Sequence, residues 1–172
     1  QGFFDVPFGA TGGANRLLYT RRVGDQADDG SGAGAVTAAG KHSGSVGALN
    51  YGVFAATEAD PAGRDFYAVR ATRSVADSPI GAQNFGAMLT YVHRPFLDRN
   101  ASVFSFDHGW RPDAHWNIRS TWVSSDITHQ GQPTRDSGLQ VLADYDPGHG
   151  WRQQLYAPQS GAHLQPTVLG YP

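Results

Sequence analysis

His115-Trp116-Asn117-Ile118-Arg119-Ser120-Thr121-Trp122-Val123-Ser124-Ser125 alternates in polarity. Trp116, Ile118 and Trp122 fall on one side, and Asn117, Arg119 and Thr121 on the other. Successive side chains of an extended chain point to opposite sides, so this pattern reads as a strand with one apolar and one polar face. It recurs along the sequence. Leu49, Tyr51, Val53 and Ala55 oppose Ala48, Asn50 and Gly52. Tyr67, Val69, Ala71 and Val75 oppose Arg70 and Thr72, with Arg73 out of step. Leu139, Val141, Ala143 and Tyr145 oppose Gln140 and Asp144.

The pattern predicts strands at about Ala35–His42, Val46–Thr57, Phe66–Val75, Phe85–His93, Ala101–Trp110, His115–Ser125, Gly138–Asp146 and Trp151–Ala157. Most are about 8–12 residues long. A membrane-crossing strand needs about 9–11, whereas ordinary strands centre near 5–6. The connections read as alternating in length. His42 to Ser45, Arg111 to Ala114 and Pro147 to Gly150 are short. Glu58 to Asp65, Arg94 to Asn100 and Asp126 to Ser137 are longer, the last being the longest, and Ala76 to Asn84 is intermediate, the exception to the alternation. Short turns at one end and long loops at the other are a habit of outer-membrane barrels. Residues 1–34 read as an irregular N-terminal segment with a short strand over Leu17–Val23, and residues 35–172 as an antiparallel barrel segment.

Composition agrees with a β protein. Among 13 Lys+Arg and 15 Asp+Glu, Lys41 is the one lysine and Glu58 the one glutamate. The usual coating of surface helices is therefore missing, while 22 glycines and 12% aromatics suit strands and tight turns. A net charge of −2 gives no bulk attraction to nucleic acid. The absence of cysteine excludes disulfide scaffolds and thiol catalysis. No apolar run approaches the roughly 18–20 residues of a membrane-spanning helix. Gln1-Gly2-Phe3-Phe4-Asp5 is not a signal peptide, and the sequence stops abruptly at Gly170-Tyr171-Pro172. A secreted or outer-membrane chain would have a leader, so the expectation is a piece of a longer protein.

Motifs for chemistry are weak. Gly40-Lys41-His42-Ser43 lacks the P-loop spacing, since Ala35 stands where a glycine is needed and His42 where Ser or Thr should be. The histidines at 42, 93, 108, 115, 129, 149 and 163 form no metal-binding pair or helix motif. Asp107 beside His108, and Asp144 with Asp146, could serve acid–base work. Neighbours on a strand face apart, however, and the second pair reads as turn chemistry before Pro147-Gly148. Neither catalysis nor a cofactor nor a metal is expected. Asn100-Ala101-Ser102 is a formal glycosylation sequon that a bacterial source would leave idle.

Arg70 and Arg119 fall on polar faces. With Asp107 and Asp144 as acidic partners they are the candidate lumen-facing residues, because an arginine on a lipid face would cost about 2–4 kcal/mol. Arg73 and Arg152 also lie inside strands. Trp110, Trp116, Trp122 and Trp151, with Tyr51, Tyr91, Tyr145 and Tyr156, gather near strand ends. They read as an interfacial girdle, or as a stacking platform for sugars.

Phe3-Phe4, Leu18-Tyr19-Thr20-Arg21-Arg22-Val23-Gly24, Ala38-Ala39-Gly40-Lys41 with Gly44, and Gly47-x-Leu49-x-x-Gly52 with Ala55-Ala56-Thr57 resemble the start of an uncharacterised bacterial outer-membrane barrel domain. That domain commonly follows a family-9-like carbohydrate-binding module. Tyr67-x-Val69-Arg70 and Asp107-His108-Gly109-Trp110 are similar to its later hairpins. The sugar-binding module is not in this sequence, and the family's barrel is longer than eight strands. The resemblance carries over no catalytic or binding residues.

The expectation is an all-β, antiparallel up-and-down meander of about eight long strands, a membrane β-barrel or part of one. Its role would be non-enzymatic: transport, anchoring or surface presentation in the bacterial outer membrane, linked to carbohydrate uptake. The expected partners are the lipid bilayer, carbohydrate and the missing parts of its own chain, with no nucleic acid. The alternative is a soluble extracytoplasmic β-sandwich or barrel that binds carbohydrate through exposed aromatics.

Overall fold

The computed structural model describes residues 3, 4, 6, 23–59 and 61–162. The expected short strand at Leu17–Val23 falls outside them, Val23 excepted, as does His163. Eight strands follow one another: β1 (Val36–Val46), β2 (Leu49–Glu58), β3 (Asp65–Val75), β4 (Ala82–Arg94), β5 (Arg99–Arg111), β6 (Trp116–His129), β7 (Gln132–Gly148) and β8 (Trp151–Ser160). Each pairs antiparallel with the next, in one sheet of order β1 to β8. The fold is thus the all-β up-and-down meander read from the alternation. The sheet is not closed, since β1 and β8 are not paired with each other.

The turns are tighter than the sequence reading has them. β1 and β2 are joined by Gly47-Ala48, with Gly47 at φ +58°. β6 and β7 are joined by Gln130-Gly131, at φ +50° and +72°. β7 and β8 are joined by His149-Gly150, at φ +62° and +79°. Positive φ at these positions is what two-residue hairpin loops require, because only then does the turn's twist match that of the strands. The long loop expected from Asp126 to Ser137 is therefore a correction. Asp126 pairs with Arg135 and Ser125 with Asp136, so both strands continue to the turn. The turn expected near His42 likewise moves to Gly47. Without those two features the alternation of short and long connections disappears.

Register assigns every strand residue to one of two faces. One face, called inner here, carries the buried cluster Ala56, Phe66, Ala68, Met88, Val92, Ala101, Val103, Val123 and Ile127. Phe4 and Val6 from the N-terminal segment are buried in the same cluster, with Phe3, Val23 and Phe54 packed around it. The opposite face has no covering layer among the described residues, and its large apolar side chains are exposed.

The exposed apolar side chains form an oblique band. On β3 the band runs from Tyr67 to Ala71 around Val69. Val69 is in register with Leu89, Phe104, Ser124 and Ser137 in turn. On β7 the band is instead Leu139, Val141, Ala143 and Tyr145, well beyond Ser137. The band thus slips by about one residue per strand. At about 3.3 Å of rise per residue and about 4.8 Å between strands, that slip equals a strand tilt of about 35° against the band.

Candidate functional site

The outer face is the larger chemical feature. Val53, Tyr67, Val69, Leu89, Tyr91, Phe104, Phe106, Trp116, Trp122, Leu139 and Leu155 all point outward and are exposed, Val69 and Leu89 to nearly half their surface (48% and 49%). Aromatic rings cluster toward the two margins of this band. Tyr67 and Tyr91 lie 6.2 Å apart between centroids, and Phe104 and Trp122 lie 5.8 Å apart. Toward the other margin Trp116 and Tyr145 lie 4.6 Å apart, and Trp110 donates its indole N–H to the Ile80 carbonyl at 2.7 Å. Trp151 is exposed at the head of β8. His108 is the charged-capable residue within the band. It stacks on Phe85 at 4.7 Å and hydrogen-bonds Gln83 Oε1 at 3.2 Å. Arg73 lies on this face beyond the band's end on β3, opposite Leu49 and Phe85.

The inner face divides along its length. Toward the Pro95 connection it is apolar and carries Phe4 and Val6. Toward the other end it is polar. Arg70 Nη2 lies 2.9 Å from Asp107 Oδ1 and donates a hydrogen bond to Oδ2 at 3.1 Å. Gly86 stands beside Asp107 in register, and a Cβ there would run into the carboxylate. Further along, Arg119 Nη2 donates to Asp144 Oδ2 at 2.8 Å, and Gln154 Nε2 donates to the other oxygen at 2.7 Å. The four candidate lumen residues therefore share one face as two ion pairs. Two open cavities, of about 620 and 710 Å3, lie on this polar half. Asp146 is turn chemistry: it accepts the Gly148 N–H at 3.0 Å and Arg152 Nε at 2.8 Å.

A third cluster carries no sequence signal. Glu58, the chain's one glutamate, has a side chain with no exposure. It accepts Arg64 Nε at 2.7 Å, Arg64 Nη2 at 3.0 Å and the Gly24 N–H at 2.8 Å. Arg64 Nη2 also donates to the Asp25 carbonyl at 3.1 Å. Arg94 donates to both oxygens of Asp28, at 2.9 and 2.6 Å. Asp28 is 2% exposed and lies 3.7 Å from Arg64 Nη1. These bonds hold residues 24–28 against the ends of β2 and β4. An unmet charge buried this deeply would be costly, so the cluster acts as one latch.

Among the described residues no three metal-ligating side chains converge, and no helix is long and apolar enough to cross a membrane. Compared with protein-family models, curated proteins and solved structures, the chain has no match.

Proposed function

We propose that the chain is a non-enzymatic section of the wall of a bacterial outer-membrane β-barrel, with its outer face against lipid and its inner face lining the interior. The observation that carries this reading is the placement of polarity. Within the oblique band the uncovered face is apolar across seven strands, while the Arg70–Asp107 and Arg119–Asp144 pairs face inward. The outward pairs Asp65–His93 and Asp126–Arg135 lie beyond the band's ends. A monomeric water-soluble protein rarely exposes a contiguous apolar patch beyond a few hundred Å2, and a lipid-facing barrel wall has this polarity by necessity.

Three further features support it. The strands have 10–17 residues, enough to cross the hydrocarbon layer at a tilt. The band's slip corresponds to about 35°, at the lower end of the tilt of closed membrane barrels. Aromatic pairs stand near both margins, as interfacial girdles do. The role would be transport, anchoring or surface presentation. A link to carbohydrate uptake rests on the family resemblance alone.

Detergent dependence tests the reading. The chain refolded in detergent should keep its β signal and lose it, or aggregate, when the detergent is removed. A folded monomer in plain buffer would exclude a lipid wall. One observation favours the second reading, a soluble sugar binder: Trp116 and Tyr145 pack 4.6 Å apart on the uncovered face and could stack a sugar ring. Glycan binding lost on Trp116→Ala, in a chain that needs no detergent, would support that reading instead.

A further inference from the structure

The 620 Å3 cavity lies on the inner face between β3 and β6, within the range of small-molecule sites. Arg70, Arg111 and Arg119 line it, with Asn84, Asn117 and Thr121. Arg70 is the informative member. Its side chain is 8% exposed, and it gives Asp107 only Nη2. Its Nε and Nη1 are buried with no hydrogen-bond partner among the described residues. Buried guanidinium donors are costly to leave unmet. Asp107 Oδ1 beside them is also buried without a hydrogen-bond partner, but one acceptor atom cannot answer both nitrogens, so the pair keeps a surplus of donors.

The charge balance points the same way. Asp107 answers Arg70, and Asp144 answers Arg119 from beside the cavity. Arg111 forms no ion pair among the described residues. The nearby Asp113 accepts the backbone N–H groups of His115 and Trp116. One positive charge is thus unanswered, next to arginine donors and neutral amide and hydroxyl groups. Guanidinium groups are the side chains best matched to carboxylate and phosphate oxygens.

We propose that this cavity binds the oxyanion group of a solute, a carboxylate or a phosphate ester, through Arg70, Arg111 and Arg119, with Asn84, Asn117 and Thr121 meeting the solute's neutral polar groups. The site belongs to the chain's own inner face, so it goes beyond the lipid-wall reading and does not require it.

The test is calorimetric titration of the full chain, in detergent or in buffer according to which keeps it folded, at fixed ionic strength without chloride. Citrate and glucose 6-phosphate are the two anionic probes, and glucose is the neutral control. Saturable binding of at least one anion is expected, with none for glucose, and the two anions separate carboxylate from phosphate. Arg111→Gln, at an exposed strand end, should leave the fold intact and weaken binding by about tenfold, the worth of one charge-assisted hydrogen bond. Arg73→Gln, on the outer face, should leave it unchanged. No saturable binding of either anion, equal binding of glucose, or equal loss with Arg73→Gln would overturn the proposal. None of these outcomes bears on whether the chain needs detergent, so the two readings fail separately.

Discussion

Val69 is the residue on which the two environments differ most. It sits at the centre of the apolar band on β3, pointing away from the inner face and exposed. On a water-facing sheet, replacing it by arginine would change stability by no more than about 0.5 kcal/mol. Against the middle of a bilayer the same change should cost about 2–4 kcal/mol. Val69→Arg is therefore expected to lower the unfolding free energy by that larger amount in lipid vesicles, measured by denaturant titration. Arg73, four positions further along the same face, marks the contrast. It lies outside the band on β3, where a long side chain can reach headgroups and water. Arg70 and Arg119 were legible from period-two alternation, which puts them opposite the apolar positions. Arg111 was not, because it ends β5 just before Pro112-Asp113 and reads as a turn.

The elements differ in how much of them the sequence discloses. The middles of the strands are legible because apolar and polar residues alternate there. β1 beyond His42 and β7 before Gly138 are not. Gly40, His42 and Gly44 put little apolar surface on the outer face of β1. On β7, Arg135 and Ser137 face outward and Thr134 and Asp136 inward, so both sides are polar. A strand that continues past an apolar band loses the alternation and resembles a loop in composition. The latch was equally hidden: Arg94 and Asp28 are 66 residues apart, and no spacing marks their meeting. Its contribution can be measured. Glu58→Gln removes a fully buried charge from Arg64, a break that should cost about 3 kcal/mol. Limited proteolysis should then cut between Asp25 and Gly34 well before any strand. Unchanged cleavage there would mean that the apolar contacts of Phe4 and Val6 hold the segment without the latch.

At the scale of the molecule, eight strands make an open sheet whose edges, β1 and β8, have no further partner strand among the described residues. Long free edges are templates for further pairing, which suits a section of wall better than a finished monomer. On the inner face, Phe4 and Val6 are buried in the apolar cluster, and the polar half is open in two cavities. All of this depends on what the outer face touches. Nitroxide scanning along β4, from Phe85 to Tyr91 in the chain reconstituted into vesicles, measures that contact residue by residue. Phe85, Ala87, Leu89 and Tyr91 should be accessible to dissolved oxygen and shielded from a water-soluble nickel chelate, with Met88 and Thr90 reached by neither. If the chelate instead reaches Ala87 and Leu89, the apolar face meets water and the barrel-wall account is wrong.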